Sequence, residues 1–235
     1  DPTTGASLEY AQLKLGADGV EWIHAASLEI GRLAQGIHPH MPTGSDTIHF
    51  IKHTDKPFDR KATYLRIVTS VRTNKAESKR VRFTVGGDRV DYPGDTSTPT
   101  VDLTTIKIQL NSVLSTPDAK FMTADISDFY LNTPLPRKEY MRIPVKDIPQ
   151  CVIDQYNLAP LVHNGHVMTE IRKGMYGLPQ AGLLAHDLLK DRLALDGYMP
   201  ANHTPGFFSH STLPISFTLC VDDFGIKYVG TDAAQ

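Results

Sequence analysis

Two adjacent aspartates, Asp222 and Asp223, are the residues of this sequence with the clearest chemical potential. They lie between two apolar runs, residues 215–221 and 224–229, which have the composition of β-strands. Two such runs around a short polar pair predict a hairpin with both carboxylates at its tip. A single Asp is common in turns because it bonds the local backbone, so a solvated turn is the simpler interpretation. Two in succession repel each other, which favours a bound cation.

A third carboxylate, Asp125, lies late in another apolar run, residues 121–126, and Asp128 follows shortly after it. A carboxylate inside a strand is unfavourable unless it is paired or binds a metal ion. If the Asp125 strand lies beside the hairpin, three carboxylates converge and could hold two divalent ions about 4 Å apart. Oxygen-only ligands favour Mg²⁺ or Mn²⁺ over zinc. Such ions would activate an attacking hydroxyl and hold a triphosphate with its leaving group.

The tripeptide that begins at Asp223 also spells the Asp-Phe-Gly motif of protein kinases. A kinase needs, upstream of it, a Gly-rich loop, a strand lysine in a Val-Ala-Ile-Lys context and a His-Arg-Asp catalytic loop. The sequence contains none of these, and its elements follow a different order. We therefore reject the kinase interpretation.

The elements that would position the carboxylates are helices and strands in alternation. Apolar spacings of three and four predict helices over residues 7–33, 103–114 and 180–195. Runs of β-branched or alternating residues predict strands, besides the hairpin, at residues 47–51, 62–68, 80–85, 121–126 and 167–171. Residues 134–160 are predicted to be irregular and rich in loops. This order indicates an α+β fold, with an antiparallel sheet backed by helices.

Composition sets broad limits on the protein. Its 235 residues, 40% of them hydrophobic, suffice for one large domain or two small lobes, and the net charge of -2 gives no global basic field. Two scattered cysteines indicate a reduced, intracellular protein, and no apolar run is long enough for a membrane span. One segment is locally basic and is either a solvated strand face or a nucleic-acid contact: Arg60, Lys61, Arg66, Arg72, Lys75, Lys79, Arg80, Arg82 and Arg89.

Several short motifs follow one another along the chain. They are RVRFTVGG at residues 80–87, TADISDFYLN at 123–132, EYMRIP at 139–144, KGMYGLPQA at 173–181 and CVDD at 220–223. In this order they resemble the KARLVARG, DVKTAFLNG, EVYMxxP, KAIYGLKQA and YVDD motifs of copia-type (Pseudoviridae-like) LTR retrotransposon reverse transcriptases. The spacing of Trp22, Ala25 and Glu29 is similar to the family's first helix, and Asp91-Tyr92 resembles its IDY. Each match is modest, and their succession is the specific signal.

The resemblance implies a right-hand polymerase fold with fingers and palm, an antiparallel palm sheet backed by helices, and the thumb missing. N-terminal helices would occupy residues 1–39. The fingers would comprise residues 40–120 together with 140–180, and the palm residues 121–139 and 181–235. The thumb, connection and RNase H regions of the same polyprotein would lie outside this chain.

The resemblance also implies roles for individual residues. Asp125, Asp222 and Asp223 would be the catalytic carboxylates that bind two Mg²⁺ ions, with Mn²⁺ as a substitute. Tyr130 would lie beneath the incoming sugar, where its ring excludes a ribose 2′-hydroxyl. Without the resemblance, Tyr130 would be interpreted as a core aromatic residue.

Further contacts to the incoming dNTP are implied. Gln180 would contact the nucleotide near its 3′ side, although it could equally be an ordinary residue at a helix N-terminus. Arg82, supported by Arg80, would meet the triphosphate, because the forked donors of a guanidinium match phosphate oxygens. The backbone amide of Asp128 or Phe129 would bind phosphate as well.

The implied activity is that of an RNA-directed DNA polymerase, which adds dNTPs to a primer on an RNA or DNA template. The basic segment would then belong to the template path, and the protein to a cytoplasmic virus-like particle or the nucleus. Two departures stand out: Cys220 replaces a Tyr and Gly86 replaces an Arg of the family pattern. One alternative is an inactive retroelement fragment with a nucleic-acid-binding or structural role. Another is a Mg²⁺-dependent nuclease, which would need neither Tyr130 nor Gln180.

Overall fold

A computed structural model of the protein describes residues 8–73 and 77–230. The predicted helix start at Ser7 and Lys75 of the basic segment lie outside these residues. The chain divides into two compact units. The first comprises the described residues up to Pro93 together with Tyr130–Ala181, and the second comprises Gly94–Phe129 together with the described residues from Gly182 onward.

Both units combine one β-sheet with helices, so the fold class is α+β as predicted. The α-helices of the described residues are α1 (Tyr10–Leu13), α2 (Gly19–Leu33), α3 (Leu103–Ser115), α4 (Gln150–Gln155) and α5 (Ala181–Leu195). The strands are β1 (Ile48–Ile51), β2 (Ala62–Val71), β3 (Lys79–Val85), β4 (Ala119–Asp125), β5 (Pro134–Pro144), β6 (His166–Lys173), β7 (Tyr198–Pro200), β8 (Phe207–His210), β9 (Ile215–Cys220) and β10 (Asp223–Val229). The units do not share boundaries with the lobes implied by the resemblance, since α3 lies in the second unit and β5 in the first.

The first unit is built on a sheet with the strand order β1-β6-β5-β2-β3. All its pairs are antiparallel except β2 with β5, which is parallel. Alternate residues of β3, namely Val81, Phe83 and Val85, are buried, as expected for a strand with one covered face. The buried carboxylate of Glu29 on α2 accepts a hydrogen bond from the Phe83 amide at 3.2 Å. The helix thereby satisfies a backbone donor of an edge strand.

The prediction of an irregular segment at residues 134–160 was wrong. Residues Pro134–Pro144 form the longest strand among the described residues, and Gln150–Gln155 form a helix. The prolines that indicated a loop lie where a strand tolerates them. The pairing with β6 shifts register between Pro134 and Glu139, runs without a break from Glu139, and ends at Pro144. Between the prolines, Tyr140, Met141 and Ile143 are buried.

The second unit has an antiparallel sheet with the strand order β4-β10-β9-β8-β7. The predicted hairpin is confirmed as β9 and β10, and the predicted strand at residues 121–126 is β4. Phe208 and Phe217 stack with ring centroids 5.0 Å apart and form the core with Leu219. Leu189 and Leu193 of α5 pack against this cluster. The core therefore holds β8 and β9 together and positions the hairpin that β9 forms with β10.

Two expectations drawn from composition concern membrane-spanning segments and the two cysteines. Within the described residues, no helix is long and apolar enough to cross a membrane. The longest helices, α2 and α5, have 15 residues each. Cys151 and Cys220 are both free and exposed, in line with the lack of a disulfide pattern in the sequence.

Lys227 of β10 ties the sheet of the second unit to the end of α3. Its ammonium group donates to the Ser112 carbonyl at 3.1 Å, to Thr116 Oγ1 at 2.8 Å and to Ser112 Oγ. A cation at this place satisfies a carbonyl of the last helical turn and complements the helix dipole. Lys227→Met keeps the length of the side chain and removes these bonds. We expect the free energy of unfolding of the second unit to fall by about 1–2 kcal/mol.

Hydrogen exchange of peptides covering residues 215–229 measures this loss directly. The matched control is Lys120→Met on neighbouring β4, because Lys120 is exposed. Among the described residues, Lys120 forms no hydrogen bond or ion pair. If both variants exchange like the unmodified protein, the contact of Lys227 with α3 does not contribute to stability.

Candidate functional site

The strand register brings the three predicted aspartates to one end of the second sheet. Asp223, the first residue of β10, pairs directly with Asp125, the last residue of β4. Directly opposed residues of antiparallel strands have Cβ atoms about 5 Å apart. Asp222 precedes Asp223 in the turn, and its carbonyl accepts from the Ile126 amide at 3.1 Å. The adjacency on which the three-carboxylate hypothesis depends is therefore present.

The turn that carries these carboxylates has an unfavourable backbone. Cys220 and Asp223 are paired, so the hairpin turn consists of Val221 and Asp222 alone. Val221 has a φ of 63°, although two-residue hairpin turns favour Gly or Asn at such positions. A β-branched residue held there costs about 1–3 kcal/mol. Like charges facing each other across strands are destabilising too. The backbone strain at Val221 and the repulsion between Asp125 and Asp223 therefore occur at the same end of the sheet, as expected where function constrains the structure.

The residues at this end fit divalent metal ions by chemistry and backbone position. All three donors are carboxylates, the ligands that Mg²⁺ and Mn²⁺ prefer. The side chains themselves are not gathered: the described residues contain no group of three or more His, Cys, Asp or Glu placed to hold a metal ion. Asp125 and Asp223 are exposed and Asp222 is half-buried. Collecting the carboxylates around a cation thus requires new side-chain rotamers, with no change of strand register.

A group of one arginine and two tyrosines lies in the first unit. The Arg82 guanidinium is 4.3 Å from the ring centroid of Tyr176, and Tyr130 meets the same ring edge-on at 5.3 Å. Arg82 has no hydrogen bond or ion pair with any described residue, and its buried Nε lacks a partner. Its position is set by an aromatic ring and not by a carboxylate. The donors of this guanidinium are therefore available to an anion.

Sequence reasoning missed Tyr176 as a site residue. Two predicted residues, Arg82 and Tyr130, both contact its ring. Tyr176 lies inside the motif at residues 173–181 that carries the resemblance, four positions before Gln180. That motif was the available signal, but it does not show that three distant parts of the chain meet on one ring.

Glycines hold the segment around Tyr176 against the end of β3. The Val85 amide donates to the Tyr176 carbonyl at 2.7 Å. Gly177 has a φ of 92°, and a Cβ atom on it would lie 2.2 Å from the Val85 carbonyl oxygen. Gly86, which stands where the family has Arg, is also explained: a Cβ atom there would lie 2.3 Å from the Tyr64 ring. In this chain the Tyr64 ring fills the space of the missing side chain.

Arg80 lies in an electropositive part of the first unit. Burial, followed by repulsion from Arg82, Arg32 and Arg72, lowers the pKa of the Arg80 guanidinium. Arg80, Arg32 and Arg72 also line one open cavity of about 270 Å³ together with Lys79. The Glu29 carboxylate opposes this charge and pairs with Arg32. An anion would relieve the repulsion that remains.

Gln180 is buried and belongs to a charged network. Its amide donates to Glu139 Oε1 at 3.3 Å, and Gln180 Oε1 has no partner among the described residues. The buried Glu139 carboxylate also pairs with Arg60 at 2.6 Å and Arg137 at 3.0 Å. Because the amide faces Glu139, the nucleotide contact implied for Gln180 remains a prediction.

Asp128 and Phe129 follow β4 in the second unit. Asp128 has a φ of 54°, and Phe129 is buried. A left-handed residue turns the chain sharply just after Asp125. The phosphate contact implied for these two backbone amides also remains a prediction.

The predicted residues thus form two groups. The carboxylates, Asp128 and Phe129 belong to the second unit, and the arginines with Tyr130 and Gln180 belong to the first. No protein-family model matches the sequence, and no curated protein matches it. The resemblance to copia-type reverse transcriptases therefore rests on the order of the sequence motifs.

Proposed function

We propose that this chain is the fingers-and-palm core of a copia-type reverse transcriptase, an RNA-directed DNA polymerase encoded in a retrotransposon polyprotein. The observation that carries the proposal is the pairing of Asp125 with Asp223, with Asp222 beside them on a strained two-residue turn. A solvated turn would explain none of these costs. A metal-binding end of the sheet accounts for the facing carboxylates, because bound cations offset their repulsion.

In this proposal each group of residues has a separate task. Asp125, Asp222 and Asp223 hold divalent ions, which activate the primer 3′-hydroxyl and neutralise the triphosphate. Arg82 donates to phosphate oxygens, supported by Arg80. Its guanidinium is already oriented on Tyr176, so little conformational freedom is lost when it binds. Other basic side chains of the first unit, among them Arg66 and Arg72, contact the phosphates of an RNA or DNA template annealed to its primer.

The test is primer extension on an oligo-rA template with an oligo-dT primer, in the presence of Mg²⁺ or Mn²⁺. Metal-dependent and dTTP-dependent extension supports the proposal. Binding of the primed template without extension would favour the inactive retroelement fragment. Cleavage of the template without any need for dNTPs would favour the nuclease.

Tyr130 provides a test of sugar selection within the same assay. Its ring is held edge-on by Tyr176, so we expect it to exclude a 2′-hydroxyl by rigid contact. Tyr130→Ala should raise the ratio of kcat/KM for rUTP over dTTP by at least about tenfold. Tyr130→Phe keeps the ring and is the matched control, with an unchanged ratio. An active Ala variant with the original selectivity would remove Tyr130 from the sugar site.

A further inference from the structure

A second open cavity of the first unit, of about 630 Å³, is lined mainly by cations. This volume lies in the range of sites for nucleotide-sized ligands. Five basic side chains line it: Lys56, Arg60, Lys61, Arg89 and Arg142. Two carboxylates, those of Asp88 and Asp91, also line it, so positive charge predominates. None of the five lines the cavity that contains Arg80.

Three of the five cationic side chains donate no hydrogen bond to any described residue. Arg60 is committed to Glu139 at 2.6 Å, and Lys56 donates to backbone carbonyls. By contrast, the side chains of Lys61 and Arg142 form no hydrogen bond or ion pair with any described residue. Arg89 contacts only an aromatic ring, that of Tyr64 at 5.2 Å. Lys61, Arg89 and Arg142 therefore keep their donors for a ligand.

Tyr64 lies next to two of these cations in the fold. In the parallel pair of β2 and β5, Tyr64 is the partner of Arg142. The Tyr64 ring carries the Arg89 guanidinium, and its hydroxyl donates to Asp88 Oδ1 at 2.8 Å. Asp88 is thus directed to the tyrosine hydroxyl, while the Arg89 guanidinium lies over the Tyr64 ring and Arg142 occupies the neighbouring strand position.

We infer that this cavity binds a compact polyphosphate anion, such as inorganic triphosphate or the phosphate chain of a nucleotide. Arginine and lysine side chains that converge on one concave surface match several adjacent phosphate groups. A continuous nucleic-acid strand is less well matched, because Arg72, Lys79 and Arg80 of the basic segment line a different cavity. The site is independent of the carboxylates and of polymerase activity.

The test is a calorimetric titration of the whole chain with inorganic tripolyphosphate, without metal, template or primer. The variant Lys61→Gln/Arg142→Gln should weaken binding by at least about tenfold. Both residues are exposed, and an unchanged unfolding midpoint by Trp22 fluorescence verifies that the variant is folded. The control Lys52→Gln/Arg66→Gln removes the same two types of charge from exposed positions outside the cavity, and its affinity should be unchanged.

Three results would overturn the inference. One is the absence of tripolyphosphate binding. Another is binding that Arg80→Gln/Arg82→Gln abolishes and Lys61→Gln/Arg142→Gln leaves intact, which would place the anion at the other arginines. The third is a loss of affinity for an oligo-dT strand in the Lys61→Gln/Arg142→Gln variant with no change for tripolyphosphate, which would assign the cavity to a nucleic-acid path.

Discussion

Asp223→Asn is expected to abolish primer extension, lowering the rate by about a thousandfold or more, while the second unit stays folded. Asn keeps the size of the side chain and removes its negative charge. Asp223 faces Asp125 directly, so its loss leaves a metal ion with an incomplete set of carboxylates. The rate should be measured as single-nucleotide incorporation on the oligo-rA and oligo-dT duplex.

A second readout separates loss of metal binding from general damage. Without metal, Asp223→Asn should raise the free energy of unfolding of the second unit by about 0.5 kcal/mol, because one of two facing charges is gone. Millimolar Mg²⁺ or Mn²⁺ should stabilise the unmodified protein, since a ligand that binds only the folded state shifts the folding equilibrium. The variant should show a much smaller shift. Hydrogen exchange of β10 reports both quantities.

The matched control is Asp191→Asn on α5, where the carboxylate is exposed and far along the chain from the hairpin. It makes the same chemical change and should affect neither activity nor the metal shift. If Asp223→Asn extends primers at a rate within a few-fold of this control, the facing carboxylates are not the catalytic ones. The turn would then have to be explained without a metal.

The sequence predicted the carboxylate end of the second sheet well, because its determinants are local. A hairpin joins strands that are neighbours in sequence, so its tip could be placed from composition to within one residue: Asp222 lies in the turn, and Asp223 is the first residue of β10. The partnership with Asp125 needed a contact across about a hundred residues and was only a hypothesis until the register was known. The strain at Val221 was not predictable, because nothing in its type indicates a positive φ.

The strands that were missed show where pattern reasoning is weakest. Residues 134–160 were predicted to be irregular, but residues 134–144 form β5, whose prolines lie at its ends and at a register shift. The short strands β7 and β8 have too few residues for periodicity to be visible. The first error concerns how a segment pairs with strands elsewhere in the chain, which local composition does not encode.

The arginine and tyrosine group illustrates the same limit for function. Arg82, Tyr130 and Tyr176 come from three parts of the chain and meet only through tertiary packing. The resemblance implied that Arg82 and Tyr130 contact the same dNTP, but it did not explain why these two residues would lie close together. The structure supplies a physical reason, since both side chains rest on the same ring.

Gly177→Ala is expected to destabilise the first unit by about 3 kcal/mol or more. Gly177 has a φ of 92°, where any residue with a Cβ atom is strained. The added methyl group would lie 2.2 Å from the Val85 carbonyl oxygen, and backbone cannot move aside as a flexible side chain can. The clash is relieved only if the segment around Gly177 moves away from β3. That movement breaks the hydrogen bond from the Val85 amide to the Tyr176 carbonyl and displaces the Tyr176 ring, over which Arg82 lies.

Guanidinium chloride unfolding followed by fluorescence tests this prediction in the correct unit, because the only tryptophan, Trp22, is buried in α2 of the first unit. Gly165→Ala is the matched control: its φ of 74° is also positive, but no atom lies within 4 Å of the added methyl group. This control should lower the free energy of unfolding by only about 1 kcal/mol, because a residue with a Cβ atom is less stable at a positive φ. The difference between the two variants then measures the contact with Val85. Equal losses would mean that the clash is relieved without cost, and that the packing of this segment against β3 does not fix the position of Tyr176.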